Sequence, residues 1–273
     1  MASGFLTPPF SGPPVWSANK AVRSLLSGKI ALAGLLLLLG GTAKLHAEGS
    51  PPLITDDPGT PGDGHWEINL GVSSEKRPGA RTSELPLIDI NYGIGDRLQL
   101  KYEVPYLRVH EDGSPTEAGL GNSAAGVKWR FYDEGEHGLS VYPQIEFSNP
   151  GSSSDDRSLV EHGTAFALPF QFEREAGPLT FIWQVGREFR SGGGSWFYGI
   201  SAGHQISSRC ELAVELAGGA SSGFDRSHLT ANFGVAFDLS EQTSLLFSIG
   251  RELHNHDEPR ATLVGYFGVQ WRL

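Results

Sequence analysis

The sequence predicts an all-β protein: a transmembrane antiparallel up-and-down β-barrel of about twelve strands. Three observations carry that prediction. Apolar residues recur at every second position, segment after segment, from Trp66 to Leu273, which is the period of a strand and not of a helix. The connections between these segments alternate short and longer, as in barrels whose turns face the periplasm and whose loops face outward. The last residues, Tyr266 to Leu273 (YFGVQWRL), carry the apolar stripe to the final position, where soluble domains usually have polar, frayed ends.

The charge is split along the chain. Residues 1–47 contain Lys20, Arg23, Lys29 and Lys44 and no acid, so the remainder holds 17 of the 21 basic residues against all 31 acidic ones. Lys20, Arg23 and Lys29 precede the apolar run Ile30 to Leu39, and Leu45-His46-Ala47 offers a cleavage site. This is the layout of a secretory signal peptide. The run is too short for a spanning helix, which takes about 20 residues, so an N-terminal membrane anchor is the weaker alternative. The stretch before Lys20 is long for a leader and leaves room for a start downstream of Met1. Residues 48–64 are rich in Pro, Gly and Asp and are expected to form an extended, turn-rich periplasmic segment leading into a barrel over 65–273. Cys210 is the only cysteine, which excludes an intrachain disulfide in an exported protein. No block of Lys or Arg suggests a nucleic-acid footprint.

The strands follow in order. Trp66, Ile68, Leu70 and Val72 alternate with Glu67, Asn69, Gly71 and Ser73. Leu85 to Tyr92 is the least regular segment, changing phase near Leu87 in the manner of a bulge. Leu98, Leu100, Tyr102, Val104 and Tyr106 come next, then Val127, Trp129 and Phe131, which bracket Lys128 and Arg130. Leu139, Val141, Pro143, Ile145 and Phe147 alternate with Ser140, Tyr142, Gln144, Glu146 and Ser148. Phe166 to Phe172, Leu179 to Val185, Trp196 to Ala202 and Leu212 to Leu216 each make a stripe, the last with Glu211 and Glu215 opposite. Leu229 to Phe237, Leu245 to Ile249 and Leu263 to Leu273 complete the set. The short connections are YGIGDR, YDEGEHG, EREAGP, HQISSR and DLSEQT. Those over residues 74–83, 110–121, 149–161, 218–227 and 254–261 are longer and mostly polar, and RSGGGS, on the same end, is short.

Alternation alone does not say which face meets lipid, and a soluble sandwich or lipocalin-like barrel alternates too. Three features favour the membrane. Large aromatics stand at strand ends (Trp66, Tyr102, Tyr106, Trp129, Phe131, Trp196, Trp271), as interfacial girdles require. Many opposite-face residues are small (Gly71, Ser73, Ser140, Ser148, Ser201, Gly203, Gly234), leaving room in a lumen. An even strand count puts both chain ends on one side. Strands ~4.8 Å apart and tilted ~40° give a twelve-strand barrel a backbone radius of about 12 Å, which side chains narrow to a restricted channel.

With the strands placed, the chain from about Ile54 to Leu273 resembles the outer-membrane channel family named for the meta-pathway of phenol degradation. The matching stretches are ITDDPGTPGDGHWEINLG (54–71), GIGDRLQLKYEVPY (93–106) and GLGNSAAGVKWRF (119–131), the last with Asn122 where the family commonly has an acid. The resemblance implies passage of small compounds, aromatic or hydrophobic ones among them, across the outer membrane. It implies no catalytic residues and no cofactor. The C-terminus likewise resembles the signal read by the barrel-assembly machinery: Gly268, with Trp271 and Leu273 in the antepenultimate and final places, although Leu replaces the commoner terminal Phe.

The charged residues expected on the lumen face are Glu67, Asp89, Lys101, Glu103, Lys128, Arg130, Glu146, Glu211, Glu215 and Arg272. They set the field of a pore, or they form a salt-bridged interior that holds the barrel. Charges on the lipid face would cost about 2–4 kcal/mol at mid-depth. Asp56 and Asp57 read as turn formers before Pro58, His254-Asn255-His256 as a solvated loop and not a metal site, and SGGGS as a flexible loop. The competing classes are a phospholipase-like outer-membrane enzyme and a structural or adhesive barrel. No His is followed two places on by Ser, His162-Gly163-Thr164 being nearest, so the nucleophile–base pair of acyl transfer is not visible. The expected partners are outer-membrane lipids, the assembly machinery and a small solute. Replacing Trp271 and Leu273 together with Asp is expected to abolish assembly, checked by loss of the heat-modifiable band on unboiled gels; a normal band would contradict the terminal-signal reading.

Overall fold

The structure, a computed structural model, describes residues 51–149, 154, 159–160, 163–191, 193–256 and 258–273; the leader expected over residues 1–47 lies outside them. The described residues form strands and turns and no helix. The segments are β1 Trp66–Arg77, β2 Ala80–Ile94, β3 Leu98–Glu111, β4 Glu117–Leu120, β5 Ser123–Glu134, β6 His137–Val141 and β7 Gln144–Phe147, followed by β8 Ala165–Ala176, β9 Leu179–Arg190, β10 Gly193–Ser207, β11 Cys210–Ser221, β12 Ser227–Ser240, β13 Thr243–Asn255 and β14 Leu263–Arg272. β4 and β5 continue one another along β3, and β6 and β7 continue one another between β5 and β8, so the wall has twelve strands. Each pairs antiparallel with its sequence neighbour, and β1 pairs with β14 from Glu67↔Arg272 to Lys76↔Leu263. Trp66 and Leu273 exchange both backbone hydrogen bonds (2.8 and 2.9 Å), completing the ring. The apolar last residue is thus a wall position sealed to the first strand, and the closed sheet has no edge strand to present open ladder groups to lipid.

Side-chain placement is the reverse of a soluble core. Among the described residues the buried set is mostly polar, including Asn69, Asp89, Asn91, Lys128, Ser140 and Gln171, while Leu70, Leu100, Trp129, Phe170, Val214 and Phe267 are exposed on the outside. All five strand tryptophans lie on the outward parity, and several meet other rings near the short-turn end: Trp66–Tyr92 at 4.6 Å, Phe172–Trp183 at 5.1 Å, Trp129–Phe131 at 5.7 Å. That is an interfacial girdle.

The connections divide as expected, with one difference. At the end holding Trp66 and Leu273 every turn is two or three residues long; at the other end lie the connections 112–116, 148–164, 222–226 and 256–262. The expected longer loop over 74–83 is instead the two-residue turn Pro78-Gly79. β1 and β2 run past the apolar belt as a hairpin, and Gly79 (φ +81°) supplies the left-handed residue that a tight Pro-Gly turn needs. The phase change in β2 is a bulge: the register moves from Leu107↔Glu84 to Pro105↔Leu87. One extra residue flips the face, so Leu85 is 49% exposed and Leu87 only 9%.

Two lumen glycines have a packing reason. Gly71 and Gly268 pair across β1 and β14, and a Cβ on either would run into the Tyr266 ring. The ring lies flat along the inner wall over the two bare backbones, beside Leu87 and Leu246. Gly268→Val is expected to destabilise the barrel by about 1–3 kcal/mol, the usual result of overpacking, read as a lower temperature for loss of the fast-migrating folded band. Adding Tyr266→Ala should recover most of the loss; no recovery would place the cost elsewhere.

Candidate functional site

The lumen is occupied by the chain itself. Residues 51–64 lie inside the wall as a strap, fastened residue by residue. The Ile54 and Thr55 amides donate to the two carboxylate oxygens of Glu215 on β11, Ile54 at 3.1 Å and Thr55 closer, and Asn232 on β12 donates to the same carboxylate at 3.0 Å. The Asp56 amide donates to Gln184 at 2.8 Å. Its carboxylate accepts from Gln171 at 2.7 Å and Lys128 at 3.1 Å, while Lys128 also donates to the Asp57 carbonyl at 2.8 Å. Asp57 turns the strap, its carboxylate accepting from the Gly59 amide at 2.6 Å, as the sequence led us to expect. Thr60, Asp63 and Gly64 bond to the β2–β3 hairpin, so the strap leaves by the short-turn end and enters β1. The bare inner-wall positions fit it: side chains on Gly93, Gly199 or Gly234 would strike Gly62, Thr55 or Leu53.

All ten charged residues expected inside are on the inner face, in separate groups. Lys101 bridges Asp89 (3.5 Å) and Glu103 (3.4 Å). Asp89 also takes Asn69 and Asn91 in a ladder that runs from Glu67 to Gln99. Lys128 is wholly buried against Asp56, with its ammonium 5.3 Å from the Tyr142 ring centroid. Arg130 meets Asp133 and Glu173, and Glu146 meets Arg190. Arg272 meets Asp238 at 2.9 Å. Glu215 holds the strap, and Glu211 lies against Gly203. Trp271 and Leu273 belong to the outer stripe, and Gly268 to the Tyr266 slot.

Two cavities lie beside the strap, both touching Pro51, Pro52 and Leu53. One, of about 310 Å3, is bounded by Lys101, Glu103, Tyr142, Tyr266, Gln144 and Leu87. The other, of about 100 Å3, lies nearer the short-turn end by Glu211, Asp238 and Arg272. Among the described residues no group of three or more His, Cys, Asp or Glu is placed to hold a metal. His162 lies outside the described residues.

No protein-family model and no curated protein matches the chain. Solved structures do. An outer-membrane channel from Pseudomonas putida F1 superposes with a TM-score of 0.65 at 14% identity, over 85% of this chain and 100% of that one. The fold is that of an outer-membrane channel. The NanC porin gives 0.57 at 9% identity over 76% and 100% of the two chains, and the KdgM porin 0.51 at 11% over 74% and 98%. At these identities the likeness is one of fold.

Sequence reasoning missed the strap, and with it the anchors Asp56, Gln171 and Gln184. The available signal was the excess of lumen-facing Gly, read as empty room when part of it is room for the chain. Lys128→Met leaves the Asp56 carboxylate buried without its cation, a loss of about 3–5 kcal/mol for a broken buried pair. In a Cys210→Ala background, a cysteine placed by Thr55→Cys should label slowly with maleimide, since Thr55 is 4% exposed. Adding Lys128→Met should raise the labelling rate at least tenfold; an unchanged rate would show that the pair does not hold the strap.

Proposed function

We propose that the protein is a passive outer-membrane channel for small compounds, aromatic or hydrophobic ones among them, of the family named for the meta-pathway of phenol degradation. The observation that carries this reading is a closed wall, apolar outside and polar inside, whose lumen is narrowed by a strap and keeps open space beside it. A strap of single-chain thickness leaves passage only to small solutes. In this reading the leader over 1–47 exports the chain, and Gly268, Trp271 and Leu273 present it to the barrel-assembly machinery. The ten inner charges then serve two ends: Glu215 and Lys128 fix the strap, and the others set the field along the path. Three stretches that resemble the family's, 54–71, 93–106 and 119–131, support this reading, and the first of them holds most of the strap together with the start of β1.

The purified protein in planar bilayers is expected to give small, discrete conductance steps, and Lys128→Met larger ones, because the released strap widens the path. Silence of both proteins, with no swelling of liposomes in any small solute, would contradict the channel reading.

A further inference from the structure

Charge is sorted by face at the long-loop end of β1, β2 and β3. The acids there take inward positions: Glu75 pairs with Arg77 at 2.6 Å, and Glu84 accepts from the Ser73 hydroxyl at 2.6 Å. The cations Lys76, Arg81 and Arg108 take outward positions and are exposed, on the same face as Leu70, Leu85 and Tyr106. Lys76 stands directly opposite Arg81, and Arg108 lies one diagonal step from Arg81, opposite Ser83. Such positions hold Cβ atoms about 5 Å and about 7–8 Å apart, and like charges set directly opposite destabilise a sheet. None of the three makes an ion pair among the described residues; Asp112, in the next turn, faces His110 at 3.9 Å. The Arg81 Nε donates to the Ser74 hydroxyl at 3.0 Å, and the Ser74 and Ser83 hydroxyls meet at 3.1 Å, a polar row between the cations and the apolar belt. The sorting continues around the ring. Arg187 is outward beside Trp196 and Arg251 is outward opposite Ala231. Among the described strand residues at this end, Lys and Arg stand on the outward face and Asp and Glu do not. At the short-turn end the outward face carries both signs, Glu134 and Arg174.

We infer that Lys76, Arg81 and Arg108 form a docking surface for a phosphorylated lipid of the outer leaflet, with its phosphate on the three cations and its acyl chains down the stripe of Leu70, Leu85 and Tyr106. The long-loop end of such a barrel faces the outer leaflet, and a charge on the lipid side costs least at the interface. A phosphate removes the repulsion between Lys76 and Arg81. The Arg fork matches its oxygens two at a time, and Lys adds a point charge. Basic residues at a membrane surface draw anionic lipids in this way. The acyl chains lie on the apolar belt directly below, so a lipid is held by two kinds of contact where a free anion has one.

The site follows from the outer face of the wall and does not depend on transport. Native mass spectrometry of the detergent-folded barrel, offered a diphosphorylated lipid A and phosphatidylcholine together, reads it directly. The diphosphorylated lipid is expected to be retained at least tenfold over phosphatidylcholine, and less so as salt is raised from about 0.1 to about 0.5 M, as screening of exposed charges requires. The triple variant Lys76→Gln, Arg81→Gln, Arg108→Gln should lose retention at least tenfold. Its control removes the same charge from exposed positions at the short-turn end, Arg97→Gln, Arg174→Gln, Arg209→Gln, and should change nothing. Both proteins should keep the fast-migrating folded band. The variant Arg81→Lys, Arg108→Lys, which keeps every charge, should lose far less than the glutamine variant. Millimolar inorganic phosphate should not displace the lipid. Equal retention of the two lipids, equal effects of the two triple variants, or displacement by inorganic phosphate would each overturn the assignment. A barrel that retains the lipid and never conducts would overturn the channel and leave this surface standing, whereas one that conducts and shows no preference for the phosphorylated lipid would do the reverse.

Discussion

Hydrocarbon offers no partner to a backbone N–H or C=O, and each group left unpaired there costs several kcal/mol. That constraint governs everything else in this molecule. It requires the sheet to close, and the closure falls on the paired termini of the barrel, Trp66 with Leu273. Once closed, a wall with period-two side chains has one outer and one inner face along its whole circumference. The outer face takes Leu, Val, Ile and aromatic residues because acyl chains surround it. The inner face takes Asn, Gln, Ser and charged residues because nothing else on the chain can dispose of them.

The inner face then carries its own constraint. Polar groups withdrawn from bulk water must satisfy one another. On β1 to β3 they do so along the wall, in the ladder from Glu67 through Asn69, Asp89 and Asn91 to Gln99. On β5, β8, β9 and β11 they do so across the lumen, through the strap, whose backbone amides and Asp56 carboxylate meet Glu215, Gln184, Gln171 and Lys128. The strap is therefore both filler and partner: it satisfies one part of the wall and leaves beside Tyr142 and Tyr266 a part unsatisfied. The same segment that narrows the path also borders the cavity beside these two phenols.

The sequence made the wall legible because period-two alternation reports it directly. Every inner charge expected from parity, from Glu67 to Arg272, is inside, and the phase change near Leu87 is a bulge. Two things were not legible. The hairpin at Pro78-Gly79 read as a longer loop, because strands that extend beyond the membrane lose their apolar stripe: Ser73 to Arg77 and Ala80 to Glu84 are polar yet paired. The strap read only as a Pro-, Gly- and Asp-rich lead-in, because a segment without regular structure has no period to show where it lies. Its position depends on long-range contacts, Asp56 to Lys128 and Ile54 to Glu215, which no local pattern reports.

The account stands on the outward apolar face meeting acyl chains, and tryptophan fluorescence tests that most directly, since Trp66, Trp129, Trp183, Trp196 and Trp271 all occupy outward positions. In vesicles made with lipids brominated along their acyl chains, most of the tryptophan emission should be quenched relative to unbrominated vesicles, with little further loss on adding aqueous iodide. Emission untouched by brominated lipid, from a protein that stays monomeric in buffer without detergent, would contradict it.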